Sequence, residues 1–393
     1  MKRILLLLFI PLAIIGQAQT TIPQKEGGSK FSIKCGNLYF EIDSADGARI
    51  SSFKLDDKQL LSVGLSSDTQ NGSTFWPSPQ SVWNWPPLAA LDNKPYTSFI
   101  SDDKITFKGS VDSKTQLRFY KTMYASAADT SIVIEYTMKN EKSSAQSWAP
   151  WEVTRVVGKG LSVFAKGDGT ATGILAPSTE ELNGYVWYDQ DNNIVDKSGT
   201  YKFICDGKGW LAHATDGMVF IKQFEDIKQT EAAKAEAVVE IYTAFGNTYT
   251  ELENQGAYVS IPSKDSTTWT VKWFARELPA SVEVSVGSTS LIAYIESVLS
   301  RSVSVGTNEM PVSCLIKVFP NPTTEYLTVE TNLGSYSNAS ISIYDLQGRM
   351  ILEKAVNQSN EQLNVSNLNG GNYIYVLTQN SKSIARGQIS VKR

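Results

Sequence analysis

The chain has 393 residues, 41% of them apolar and 10% aromatic, enough to bury a sizeable core in two domains. Its 36 lysines and arginines face 40 aspartates and glutamates, a formal charge of −4 without basic blocks, which excludes nucleic acid or an anionic lipid surface as the main partner. Three cysteines, Cys35, Cys205 and Cys314, exclude a disulfide framework, and no spacing among them resembles a zinc site. An exported chain can pair Cys35 with Cys205, and one thiol must then remain.

Residues 1–18 read as a signal peptide. Lys2 and Arg3 form a positive start, Ile4 to Ile15 is an apolar run, and Gly16-Gln17-Ala18 supplies small residues before a cleavage point. Loss of this leader takes the net charge from −4 to −6. No later run reaches membrane length, so the mature chain is expected to carry no transmembrane segment.

From Phe31 onward the pattern is all-β. Short runs such as FSIKCGNLYFEIDS, ARISSFKLDD, TQLRFYKTMYAS, TSIVIEYTMKN and TTWTVKWFARE alternate with period 2, rich in β-branched and aromatic residues between turn signals. Their density over residues 31–280 predicts one large antiparallel β-sandwich. Residues 281–312, with LIAYIESVL carrying some helical pattern, read as a linker. A smaller β-unit is expected over 316–393. Glu231 to Ala237 holds helix formers but is short enough to be a charged loop.

Within the first domain, Gly72 to Leu88, GSTFWPSPQSVWNWPPL, packs Trp76, Trp83 and Trp85 among four prolines. Proline removes backbone donors and fixes φ, so this stretch predicts a stiff extended loop rather than a helix or central strand. With Trp148, Trp151, Trp187 and Tyr188 it supplies flat apolar faces with polar edges, suited to the C–H faces and hydroxyl rim of a sugar. Taken singly, each of these aromatics reads more readily as sandwich core.

The tail reads IKVFPNPTTEYLTVE, ISIYDLQGRMILEKAV and LNGGNYIYVLTQNSKSIARGQISVKR. Pro320-Asn321-Pro322 makes a rigid turn, Gln347-Gly348 closes a hairpin and Gly370-Gly371 makes another turn, which predicts a small immunoglobulin-like sandwich. The PNP turn after an aromatic, Tyr344-Asp345 with Gly348-Arg349, Gly371 to Tyr373 and the basic end Lys392-Arg393 closely resemble the type A sorting domain of the type IX secretion system. That resemblance implies an export address rather than a catalyst. The partner is then the secretion machinery, acting through 316–393, and the destination the extracellular space or outer-membrane surface.

The stretch FEIDSADGARISSFKLDDKQLL and the closing TELENQGAYVSIPSKDSTTWTVKWFAREL resemble galactose-mutarotase-like supersandwich domains. GSTFWPSPQSVWNWPP with WAPWEVTR resembles an uncharacterised family of secreted domains with that fold. The resemblance implies a sugar site with a carboxylate base and a histidine acid across one ring. This chain has one histidine, His213, so the superfamily's histidine pair is impossible, and Trp148 to Glu152 stands where an Asn-His segment is expected.

Glu251 and Glu253, two apart in TELENQG, share a face if they lie on a strand and read as an acid–base pair or as two solvated carboxylates before a turn; the resemblance implies that one of them stands for the catalytic glutamate. His213, between Leu211, Ala212 and Ala214, reads as a hydrogen-bonded strand histidine or as their partner. Glu152, between Trp151 and Arg155, reads as a buried ion pair or a ligand-orienting carboxylate. Asp189-x-Asp191-x-Asn193 starts like a calcium loop, but Ile194 and Thr200 break the pattern, so no metal and no cofactor is expected. Three functions follow. The first is a secreted carbohydrate- or glycoconjugate-binding protein using Trp76, Trp83, Trp85, Trp148, Trp151, Glu152 and Arg155. The second is a divergent sugar-active enzyme, epimerase-like or lyase-like, using Glu251, Glu253 or Glu152 with His213 as partner. The third is a structural surface protein.

Overall fold

The computed structural model describes residues 22–64, 70–169, 171–174, 178–190, 200–303, 316–331, 336, 338–345, 349–379 and 382–393. Residues 1–18, read above as a signal peptide, and Asp191, Asn193, Ile194, Cys314, Gln347 and Gly348 lie outside them. The chain divides into two compact units, 1–305 and 306–393.

Two large antiparallel sheets build the first unit. In the twelve-stranded sheet, Lys30–Cys35, Leu38–Asp43, Arg49–Leu55, Ser73–Ser78, Gln146–Val157, Tyr249–Gln255, Val239–Thr243 and Tyr201–Cys205 lie side by side in that order. The ten-stranded sheet centres on Met218–Gln223, Ser266–Glu277, Ser131–Asn140 and Leu117–Ser126. Leu117–Ser126 alternates buried and half-buried residues without a break, the mark of a strand with one face on the core. Between the sheets Phe75 stacks on Tyr136 at 4.1 Å, and Phe40, Phe53 and Phe220 surround Trp273 at 5.7, 5.3 and 4.9 Å. Each buried aromatic contributes about 1.5–3 kcal/mol. The all-β sandwich expected from the period-2 runs is the observed fold.

One inward position in Leu117–Ser126 breaks the apolar row. Lys121 is buried, donates to Gly47 O at 2.7 Å and lies 5.5 Å from the Tyr96 ring. Burial pulls its ammonium down to about 7.

One expectation changes. Ser73–Ser78 is not a loop but a buried strand inside the larger sheet, with Pro77 directly opposite Pro150. On its other side, pairing with Arg49–Leu55 is confined to Ile50 and Ser73, so no ladder partner awaits an N–H at Pro77. Only beyond Ser78 does the chain leave the sheet, through a turn at Gln80–Val82 and a short helix at Ala89–Asp92. Cys35 and Cys205 are both buried free thiols, and burial pushes each up to about 11.

The stretch read as a linker contains the helix Thr289–Val303. Leu291, Ile292, Ile295, Val298 and Leu299 recur at helical spacing and form one apolar face. That face packs with Val163, Ala212, Val219, Ile221 and Phe274 of the ten-stranded sheet. Ser288 Oγ accepts from the Leu291 N–H at 3.2 Å, supporting the helix start. Glu231 to Ala237 is not a helix: Gln229–Glu231 is a single tight turn, and 232–237 is irregular.

The second unit is a small sandwich of a three-stranded and a four-stranded antiparallel sheet around Leu327, Val329, Ile341, Ile343, Leu363 and Leu377. Hydrogen bonds hold its motif residues in place, some of them to partners far away in sequence. Asn321 Oδ1 accepts from Ser390 N at 2.9 Å, and Arg393 donates to Leu368 O and Val365 O at 2.8 and 2.7 Å. Arg349 Nε bonds Asp345 Oδ2 at 2.7 Å, joining the Tyr-Asp and Gly-Arg halves of that motif.

Candidate functional site

Strand register gathers the site on one face of the larger sheet, the face turned away from the second sheet. Trp76 pairs with Trp151, Arg155 with Glu251, Val153 with Glu253, Glu251 with Tyr242, and Tyr242 with Lys202. Residues directly opposite one another in a ladder share a face. Their sequence neighbours Phe75, Leu252, Ile241 and Phe203 point the other way, into the core between the sheets. The result is a pocket of about 300 Å³ with Trp76, Trp85 and Trp151 as aromatic walls. Glu251, Glu253 and Lys202 supply its charges, and Tyr242, Tyr249, Gln70 and Gln80 complete the lining.

Gly72 turns the chain into the Trp76 strand at φ +62, and a Cβ there would lie 2.0 Å from Ile50 O. Trp76 is held from behind by its Nε1–H to Asp92 Oδ1 at 2.7 Å. It meets Trp151 edge to face at 5.3 Å and Trp85 at 6.1 Å. Trp85 is 58% exposed, so this wall of the pocket is an indole in solvent. Gln80 N donates to Glu236 Oε1 at 3.0 Å, fixing the turn that carries Trp85 back over the sheet.

The charges form a chain across four strands. Arg155 Nε bonds Glu251 Oε1 at 2.9 Å, and its guanidinium lies 5.5 Å from the Trp76 ring. Glu253 Oε2 accepts from Trp151 Nε1 at 2.9 Å. Lys202 Nζ lies 2.8 Å from Glu240 Oε2, 3.5 Å from Glu253 Oε2 and 5.2 Å from the Trp151 ring. Burial, opposed by Arg155 and aided by Glu253, pushes Glu251 up to about 7. Burial and then Glu253 push Glu240 well above the carboxylate range. Burial works against the Lys202 charge, but Glu253 and Glu240 outweigh it and hold the ammonium charged. Among the described residues, Glu253 Oε1 and Arg155 Nη2 are buried without a hydrogen-bond partner.

Of the residues singled out in the sequence, Trp76, Trp85, Trp151, Glu251 and Glu253 come together, with Arg155 beneath them. Trp83 is buried behind Trp76, its Nε1–H bonded to Pro77 O at 2.7 Å, and Trp148 lies in the core. Glu152 does not reach the pocket. It points between the sheets, where Lys222 at 2.9 Å, Tyr136 at 2.7 Å and Trp273 at 3.2 Å enclose it. His213 is buried in the other sheet, its Nδ1 3.0 Å from Ser162 Oγ, and cannot act with Glu251. Trp187 and Tyr188 lie buried in the ten-stranded sheet. Asp189, the first position of the calcium-like run, ends the strand Tyr185–Asp189. The alternation that pairs Glu251 with Glu253 extends to Tyr249, so this residue is legible in the sequence as a third member of the same face. Lys202, Tyr242 and Gln70 carried no local signal.

Residues 317–392 match the family described as secretion system C-terminal sorting domain. The tail is therefore a sorting domain of the type IX system, and it directs export to the cell surface or the extracellular space. The sandwich is similar to a galactose mutarotase-like protein from Clostridium acetobutylicum, 8% identical, with a TM-score of 0.45, covering 67% of this chain and 99% of that one. It is also similar to a galactose mutarotase related enzyme from Lactobacillus acidophilus, 10% identical, with a TM-score of 0.44, covering 65% and 100%. No curated protein matches the chain. Among the described residues, no helix is long and apolar enough to cross a membrane.

Proposed function

We propose that the first unit binds a carbohydrate or glycoconjugate in the pocket walled by Trp76, Trp85 and Trp151. One observation carries this reading: two indoles on one sheet face, Trp76 and Trp151, and a third, Trp85, carried over them by the following turn, enclose a cavity of about 300 Å³ with Glu251 and Glu253 among its lining. Indole faces suit the C–H faces of a pyranose, and carboxylates, amides and tyrosine hydroxyls suit its hydroxyl rim. The test is intrinsic tryptophan fluorescence of the full chain titrated across a glycan panel. A saturable change is expected, weakened about tenfold or more in Trp85→Ala, a loss of roughly 1.4 kcal/mol or more. Trp85 is exposed, so this variant leaves the core intact. No response to any glycan overturns the reading.

A second reading, a sugar-active enzyme, is favoured by the Glu251 carboxyl. Raised to about 7, it has both protonation states accessible at neutral pH, as acid–base chemistry requires. Turnover abolished in Glu251→Gln with ligand binding retained is the expected signature. A bound sugar that is never converted leaves binding as the whole activity.

A further inference from the structure

We propose that the aromatic pocket is one end of a longer cleft, and that the ligand is an oligosaccharide whose further units lie in a polar hollow beside it. The proposal rests on the carbohydrate reading of the pocket and adds the class of ligand. The hollow, of about 720 Å³, is lined among others by Lys30, Asp43, Arg49, Asn71, Asn93 and Lys94.

The hollow opens on the same face of the same sheet. Lys30 pairs with Asp43 and Asp43 with Arg49, while their neighbours Phe31, Ile42 and Ile50 enter the core between the sheets. In the sheet, Arg49–Leu55 lies next to Ser73–Ser78, so the strand bearing Arg49 adjoins the strand bearing Trp76. Consecutive residues Gln70 and Asn71 line the pocket and the hollow respectively. Tyr249 OH donates to Gln70 Oε1 at 2.9 Å, and Arg49 Nη1 donates to Asn71 O at 3.1 Å, so each side of this divide is tied to its own hollow. Asp92 ties both together from below: it accepts from Trp76 Nε1 at 2.7 Å and lies 3.6 Å from Arg49 Nη2.

Leu38–Asp43 and Tyr249–Gln255 are four strand spacings apart, about 19 Å along the sheet and far longer than one sugar ring. The two ends differ in chemistry. The pocket offers indole faces, whereas the hollow offers charged and amide groups with Val63 as its large apolar side chain. Asn93 and Lys94 are exposed there, and among the described residues no hydrogen bond or ion pair holds either side chain. One ring stacks in the pocket, and the hydroxyls of the following units take their hydrogen bonds from the hollow.

The test is calorimetric titration of the full chain with monomer to tetramer of the β-1,4 glucose, xylose and N-acetylglucosamine series and the α-1,4 galacturonate series. The double variant Asn93→Ala/Lys94→Ala is titrated alongside. Within one series, affinity is expected to rise about tenfold from monomer to trimer, and the double variant to lose that rise while binding monomer as before. Equal affinity for monomer and tetramer overturns the cleft. A rise that survives in the double variant overturns its placement in this hollow. Absence of binding by every member removes the carbohydrate site itself, a result distinct from either.

Discussion

Glu152 is sealed between the sheets and Glu251 lines the pocket, although they lie on adjacent strands of one ladder. The face each occupies sets what its loss should do. Glu152→Gln leaves the Lys222 ammonium buried without its counter-charge, and urea unfolding is expected to show a loss of about 3–5 kcal/mol. Glu251→Gln should act through protons instead. A carboxyl raised to about 7 when folded, against 4.5 ordinarily, binds its proton more tightly in the native state. Its stabilising contribution is complete below pH 4.5 and is lost as pH climbs through 7. Denaturation midpoints between those pH values are therefore expected to fall less steeply in Glu251→Gln than in the native chain. An unchanged slope would mean that Glu251 does not hold a raised pKa.

Among the elements, Ser73–Ser78 and Thr289–Val303 were the hardest to read locally. Proline argues against a central strand wherever a second ladder needs an N–H, and at Pro77 no such ladder exists. That fact belongs to neighbouring strands, not to the segment. The helix has a readable 3.6-residue period, but nothing in its own residues says which surface it covers. Its apolar face meets Val219, Ile221 and Phe274, so Ile295→Ala is expected to cost the first unit about 2–5 kcal/mol, measured by denaturant unfolding. A loss within about 0.5 kcal/mol would mean that the helix is not part of that core.

At the scale of the whole chain, each unit has a hydrophobic core of its own. Two calorimetric transitions are expected, with Ile295→Ala moving one and Leu327→Ala, in the tail core, moving the other. A single transition shifted by both variants would contradict independent folding. The tail was readable because its signature is a set of turns and short motifs, which hydrogen bonds such as Arg349 to Asp345 hold locally. The site was readable only where one strand carries it, as with Glu251 and Glu253. The pairing of Glu152 with Lys222 and the seclusion of His213 depend on strands far away in sequence.

By itself the sequence determined the all-β class, the export address and a set of candidate site residues, because alternation, turn chemistry and residue type are local properties. Tertiary structure alone decided which of those residues meet. A strand presents its side chains to two faces in turn, and only ladder register with distant partners turns Trp76, Trp151 and Glu251 toward one pocket with Lys202 while sending Glu152 into the core.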